Sequence, residues 1–239
     1  IAGIALDNWN KGRRRIVWVT DNWRLVEDAK RDLLDLGQHS LAKTIKTADK
    51  IPYGRPIGHE GILFLPYSWL RSRNKRGQQR IDQFIQYAQG EDGGDGAVVV
   101  FDEAHALKNT TGTRGAISQT GTAVARLLEK VPGLRTTFLS ATAASELNNM
   151  GYLSRLGLWG PRTPFPEGFG QFMQALGQGG MSAMELLARE LKAMGKYLSR
   201  TISYKGVVLR EDAVHPLNDD QKAIWRSASQ AWLNTLKEV

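Results

Sequence analysis

Asp102 and Glu103 stand side by side directly after the apolar run Ala97-Val98-Val99-Val100-Phe101, and His105 follows two residues later. An unbroken run of this kind predicts a strand buried on both faces of a sheet. Carboxylates at the C-terminal end of such a strand sit where open α/β sheets carry their chemistry. The pair suits phosphoryl hydrolysis: one acid can hold a magnesium ion against phosphate oxygens while the other orients or deprotonates the attacking water. Two acids that merely cap a strand and face water give the same short pattern, so the surrounding elements decide. A second candidate is the triplet Ser140-Ala141-Thr142, which ends the next apolar strand, Arg135-Thr136-Thr137-Phe138-Leu139, 35 residues beyond His105.

The elements that must position these groups follow in chain order. Ile1-Ala2-Gly3-Ile4-Ala5-Leu6 is helix-like without a polar lead-in, and Gly12, inside the basic run Lys11–Arg15, fits a C-terminal cap. Ile16-Val17-Trp18-Val19 predicts a strand, and Thr20-Asp21-Asn22 caps a helix whose Val26, Ala29, Leu33 and Leu36 recur at helical spacing before Gly37 stops it. Residues 38–60 are expected to form a long polar connection. Ile62-Leu63-Phe64-Leu65 is another strand, ending at Pro66-Tyr67-Ser68. The next stretch carries Arg71, Arg73, Lys75, Arg76 and Arg80 without an acid, and a helix with Ile81, Phe84, Ile85 and Ala88 on one face follows.

Beyond the acidic pair, Lys108–Gly115 is expected to be a flexible turn and Ile117, Val124, Leu127 and Leu128 to lie on a helix. Residues 157–183, rich in Gly and Pro, are expected to be a surface excursion. Met184, Leu187, Leu191, Met194 and Leu198 predict an amphipathic helix. Ile202–Leu209 fits a strand, and Asn218 caps a last helix with Ile224, Ala228, Ala231 and Trp232. The alternation predicts an α/β fold with a mostly parallel sheet flanked by helices over residues 1–160, and a largely helical extension over 161–239.

With 239 residues, 41% hydrophobic and 23% charged, the chain can bury a core of its own. It has no cysteine, which excludes disulfides, thiolate metal sites and cysteine nucleophiles. No run approaches the roughly 18 apolar residues of a membrane span, and no signal peptide is visible, so a cytoplasmic protein with no membrane partner is expected. The net charge of +8 points to a polyanionic partner, foremost nucleic acid. The histidines lack metal-site spacing, and no Ser-His-Asp set can be assembled.

Asp102-Glu103-Ala104-His105 resembles the Walker B box of the DEAH helicases of superfamily two, and Ser140-Ala141-Thr142 resembles their motif III. A narrower resemblance lies in Phe138-Leu139-Ser140-Ala141-Thr142-Ala143-Ala144-Ser145-Glu146 with Asn149-Met150-Gly151-Tyr152 and Arg155-Leu156-Gly157-Leu158-Trp159-Gly160. These segments are similar to the strawberry notch family, in its bacterial or phage type. Pro66-Tyr67-Ser68-Trp69-Leu70, Gly195-Lys196-Tyr197-Leu198-Ser199-Arg200 and Ser203-Tyr204-Lys205-Gly206-Val207 resemble further blocks of it, so matches run from Ile1 to about Leu209.

The resemblance implies the first RecA-like P-loop NTPase lobe of a motor that uses ATP and Mg2+ and acts on DNA or RNA, with DNA favoured and a second RecA-like lobe as partner. It implies that Asp102 coordinates magnesium, Glu103 orients water, and His105 with Ser140 or Thr142 couples the site to nucleic acid. His105 alone also fits a structural histidine. Thr20, Asn22 and Arg24, and Tyr67, Ser68 and Arg71, fall where family motifs contact nucleic-acid phosphates, although strand-end polar residues also serve as helix caps. Arg73, Lys75 and Arg76 extend that basic surface, with Arg13-Arg14-Arg15 as a second candidate.

One family element is missing: no Gly-x-x-x-x-Gly-Lys-Ser/Thr segment occurs, and Gly195-Lys196 has no glycine-rich lead-in. The chain is therefore expected to start just after that loop, to stop before the second lobe, and to be inactive in isolation. The alternative is a non-catalytic nucleic-acid-binding or protein scaffold that keeps the fold. The intact Asp102-Glu103 pair favours the motor.

Overall fold

Residues 1–107, 118–140, 147–199 and 216–237 are described by a computed structural model. In chain order the first elements are α1 (Ala2–Asn10), β1 (Arg15–Thr20), α2 (Val26–Asp35), α3 (His39–Ala42), β2 (Ile45–Thr47) and β3 (Gly61–Pro66). They are followed by α4 (Tyr67–Leu70), α5 (Arg80–Gln89), β4 (Ala97–Phe101), α6 (Gln119–Lys130), β5 (Arg135–Phe138), α7 (Phe169–Ala193) and α8 (Asp219–Lys237). Contacts divide the chain into two compact units, Ile1–Tyr197 and Leu198–Val239.

The strands of the first unit form one sheet, β2-β3-β1-β4-β5, in which every neighbouring pair is parallel. Parallel neighbours require crossovers, and the helices supply them on both faces. Alternation along β1 sorts the core. Ile16 and Trp18 point to a cluster with Ala2 and Ala5 of α1 and Ala29 and Leu33 of α2. Val17 and Val19 point to the opposite cluster with Phe84 of α5, Leu127 of α6 and Phe172 of α7. Burial on both faces is what turns these strands into continuous apolar runs, each large side chain contributing about 1.5–3 kcal/mol.

The register fixes which residues share an edge. Arg15 lies beside Gly61 and Ala97 at one end, and Thr20 beside Pro66 at the other, with Val19 beside Phe101. Phe101 in turn pairs with Phe138. The C-terminal ends of β1, β3, β4 and β5 therefore line up, and the segments that follow them share one rim.

Three local expectations need correction. The connection 38–60 is not structureless: it contains α3 and the edge strand β2, paired with β3. The Gly- and Pro-rich stretch 157–183 is helical from Phe169, where α7 begins after Gly168, and the helix breaks at Gly180 (φ 55°) and continues. That helix ends at Ala193, leaving Leu198 outside it and 95% exposed. Lys108–Gly115, Ile117, Ala141, Thr142 and Ile202–Leu209 lie outside the described residues.

In the second unit α8 starts with a reciprocal cap. The Gln221 N–H donates to Asn218 Oδ1 (2.8 Å) and the Asn218 N–H donates to Gln221 Oε1 (3.0 Å). Ile224, Trp225 and Trp232 of this helix are exposed. Among the described residues no helix is long and apolar enough to cross a membrane.

Candidate functional site

β4 delivers its acids to the rim through a chain of backbone hydrogen bonds. The Asp102 N–H donates to the Val19 carbonyl (2.8 Å), extending the β1–β4 ladder by one step. On the other side Leu139 N–H donates to the Phe101 carbonyl (2.9 Å) and Ala104 N–H donates to the Leu139 carbonyl (2.8 Å). Asp102 is thus held between the ends of β1 and β5, and half-buried Ser140 comes next along the β5 side.

Glu103 has φ 49°, a left-handed conformation that costs an L-residue about 1–2 kcal/mol. Its N–H donates to Asp102 Oδ1 (3.1 Å), while Tyr67 Oη donates to the Asp102 carbonyl (2.8 Å). The peptide between the two acids is therefore gripped at both of its polar atoms. A short helical turn, Ala104–Leu107, starts immediately and buries Ala104 and Leu107, so the chain has to turn sharply at Glu103.

Burial pushes the Asp102 carboxyl above the ordinary carboxylate range, and the Glu103 charge beside it pushes the same way. The Glu103 N–H and the Thr20 hydroxyl pull it back. Thr20 is 0% exposed and its Oγ1 makes no hydrogen bond of normal geometry, so it favours the charged carboxylate through proximity. Helix starts expose unpaired N–H groups and positive dipole, and α1 begins without a side-chain cap.

His105 Nδ1 lies 3.2 Å from Glu103 Oε2, an ion pair only when the imidazole is protonated, and lacks hydrogen-bond geometry. The expected nucleic-acid contacts divide. Asn22 Oδ1 accepts from the Arg24 N–H (2.8 Å), so this side chain caps the turn at Trp23, while Arg24 itself is exposed. Ser68 and Arg71 are exposed on and just after α4, but Tyr67 is buried (6% exposed) with its hydroxyl committed to Asp102. Burial also keeps the Tyr67 phenol protonated, with Asp102 and Asp21 acting in the same direction.

Arg71–Gln79 folds back as a tight hairpin. Arg73 bridges Gln79, and Asn74 N–H donates to the Gln78 carbonyl (3.1 Å). Asn74 Oδ1 accepts from the Arg76 and Gln78 N–H groups (2.9 and 3.0 Å). Arg73, Lys75 and Arg76 are exposed on it. A shallow cavity of about 180 Å³ beside the hairpin is lined by Arg71, Arg73 and, from α6, Gln119, Thr122 and Arg126.

Arg80 does not belong to that surface. It is 6% exposed and lies over the Tyr53 ring (3.5 Å to the centroid), and its Nη1 donates to the Ile51 carbonyl (2.7 Å) and to Gln83 Oε1 (2.8 Å). The run Arg13-Arg14-Arg15 lies at the start of β1, at the other end of the sheet. There Arg13 donates to Asn8 Oδ1 (3.4 Å), Arg14 covers the Trp9 ring (4.5 Å) and Arg15 pairs with Asp92.

A magnesium ion and a nucleotide fit the donors present. Magnesium takes hard oxygen ligands, usually one or two carboxylates together with substrate phosphates and water. Asp102 is such a carboxylate, partly buried and beside the like charge of Glu103, so a cation would relieve it. Sequence reasoning missed Asp21, whose charge helps keep the Tyr67 phenol protonated. Tyr152 is buried with an unpartnered hydroxyl, and its ring lies 5.3 Å from that of Phe138.

Residues 1–227 match the family model described as P-loop containing NTP hydrolase pore-1. The chain is 37% identical over 238 residues to protein FORGETTER 1 of Arabidopsis thaliana, covering 97% of this chain and 18% of that protein. It is 38% identical over 239 residues to protein strawberry notch homolog 2 of Mus musculus (99% and 17%). It is 34% identical over 249 residues to protein strawberry notch of Drosophila melanogaster (100% and 15%). The chain thus spans less than a fifth of the length of each of these relatives.

Proposed function

Because the chain belongs to the P-loop containing NTP hydrolase pore-1 family, we propose that it is the nucleotide-hydrolysing lobe of an ATP-driven nucleic-acid helicase or translocase. The observation that carries this reading is the Asp102–Glu103 pair, presented at the C-terminal rim of an all-parallel sheet. Asp102 would hold magnesium, which when bound neutralises charge on the phosphates. Glu103, turned out of the strand direction by its left-handed backbone, would orient the attacking water. The backbone N–H groups at the start of α1 would face the phosphates. The chain has no glycine-rich phosphate loop, so residues 1–239 alone are expected to bind ATP weakly and not to turn it over.

The same rim continues into Arg24, Ser68, Arg71 and the basic hairpin, which suits a phosphate backbone running past the hydrolytic pair. A non-catalytic scaffold would gain nothing from a strained Glu103 and an Asp102 whose charge burial and Glu103 disfavour. The test is ATP hydrolysis by the full-length protein with and without DNA or RNA. Stimulation by nucleic acid is expected, and hydrolysis indifferent to it would remove the motor reading. Binding should weaken steeply with salt, and replacing Arg73, Lys75 and Arg76 together by Ala should flatten the dependence by up to about 0.9 in log–log slope per lost duplex phosphate contact. An unchanged slope would return the hairpin to ordinary solvated surface.

A further inference from the structure

Tyr67 stands where the family resemblance implies a nucleic-acid contact, but its hydroxyl is bonded to the hydrolytic pair. β3 and β4 are not neighbours in the sheet, since β1 lies between them. From the end of β3, Tyr67 reaches past the end of β1 to donate to the Asp102 carbonyl at 2.8 Å. That carbonyl belongs to the peptide whose N–H, on Glu103, donates to Asp102 Oδ1. The orientation of this one peptide sets both the Asp102 carboxylate and the left-handed turn that aims Glu103.

The ring of Tyr67 is fixed as firmly as its hydroxyl. It is stacked on Phe101 (6.4 Å between centroids, 13° between planes), and Phe101 is stacked on Phe138 (5.2 Å, 8°). Phe138 meets Tyr152 at 5.3 Å. This aromatic row crosses beneath the rim from the end of β3 to the end of β5, so Tyr67 cannot shift without disturbing the ends of several strands. Tyr67 is also the first residue of α4, a single turn whose other face carries exposed Ser68 and leads to exposed Arg71.

We propose that Tyr67 is a positioning residue that sets the Asp102–Glu103 peptide and links the nucleic-acid-facing turn α4 to the hydrolytic acids. The proposal rests on the functional reading above. A strand pulling on Ser68 and Arg71 moves α4 as a unit, and the Tyr67 hydroxyl passes that movement to the Asp102 carbonyl. Nucleic acid thereby adjusts the aim of Glu103 without touching it.

The test uses the full-length protein and Tyr67→Phe, which keeps the ring and removes only the hydroxyl, with Tyr152→Phe as the control because that hydroxyl has no partner. The expected result for Tyr67→Phe is a fall in nucleic-acid-stimulated kcat of about tenfold, since small misalignments of reacting groups are costly. KM for ATP and Kd for nucleic acid should stay within about twofold, the signature of an interaction felt in the transition state rather than in binding. Tyr152→Phe should leave kcat unchanged, and a melting curve for each variant separates misfolding from misalignment. A weakened Kd with kcat intact would make Tyr67 a nucleic-acid contact. An unchanged kcat, or a fall in kcat that tracks a lower melting temperature, overturns the positioning role while leaving the functional reading standing. A wild-type protein that hydrolyses no ATP overturns the functional reading and the role of Tyr67 with it.

Discussion

The two ends of the parallel sheet treat charge and backbone strain in opposite ways. At the N-terminal end Arg15 pairs with Asp92, whose Oδ1 and Oδ2 also accept from the Gly94 and Gly96 N–H groups (3.0 and 2.9 Å). Slight burial works against the Asp92 charge, but these two N–H groups and the Arg15 guanidinium outweigh it and hold the carboxyl below the ordinary range. The left-handed backbone in this loop belongs to glycines. Gly94 has φ 104°, and a Cβ there would lie 2.5 Å from Val131 Cγ1. At the C-terminal end the left-handed residue is a glutamate, and the carboxyl beside it is raised by burial and by the charge of that glutamate. One end is built to be stable. The other tolerates instability where a ligand would relieve it, which is how strain and perturbed ionisation mark functional sites.

Variants at the two ends should therefore separate activity from stability. The largest effect is expected for Glu103→Gln in the full-length protein: hydrolysis should fall by about 10²–10⁴-fold, the usual contribution of a positioned acid–base group. ATP binding and melting should be unaffected, because the amide keeps the shape. Turnover equal to wild type would erase the distinction between the ends. Gly94→Ala should do the reverse, with the denaturation midpoint of residues 1–239 shifting by the equivalent of about 2–3 kcal/mol. In the full-length protein the kcat of the molecules that remain folded should be intact. A cost below about 0.5 kcal/mol would mean that the loop has slack.

The smallest effects carry opposite signs. Asp92 has a lowered folded carboxyl value, so its contribution is present above the unfolded range near about 4 and fades as pH falls through the folded value. Asp92→Asn should lower the melting temperature at pH 7 by about 1–3 °C after allowance for solvent screening, and the gap to wild type should close below about pH 4. Asp102 has a raised folded value, so stability falls as pH rises from the unfolded value through the folded one. Asp102→Asn, which retains an acceptor for the Glu103 N–H, should raise the melting temperature at pH 7 by a similar amount while abolishing hydrolysis. Two shifts of the same sign in thermal melts would break the comparison.

Much of this was legible in the sequence. Strands buried on both faces announce themselves as apolar runs, and Asp102 and Glu103 follow one directly. The parallel order follows from helices placed between those runs. The edge strand β2 escaped because Ile45-Lys46-Thr47 is short and mixed in polarity, as edges are. The start of α7 was hidden by glycines that argue locally against a helix but are carried by packing of Phe172 and Leu191. Tyr67 lay in a recognisable segment, yet its partner is 35 residues away across an intervening strand, and no local pattern encodes that. Arg80 looked like one more cation in a basic run. Its burial depends on Tyr53 and Ile51, which belong to a different segment.

The position of Arg80 has a consequence for how this surface breathes. Its guanidinium joins the base of the hairpin to the carbonyl of Ile51, while Gln83 Nε2 donates to the carbonyls of Pro52 and Arg55 (2.9 and 2.8 Å). An arginine cannot shed its charge to escape burial, so detaching either segment would strand a cation among unsatisfied carbonyls. The basic hairpin and the connection around residues 51–55 are therefore one cooperative unit. Their amides are expected to exchange with solvent through a shared opening rather than as two independently fraying loops, which hydrogen exchange would show as matched protection.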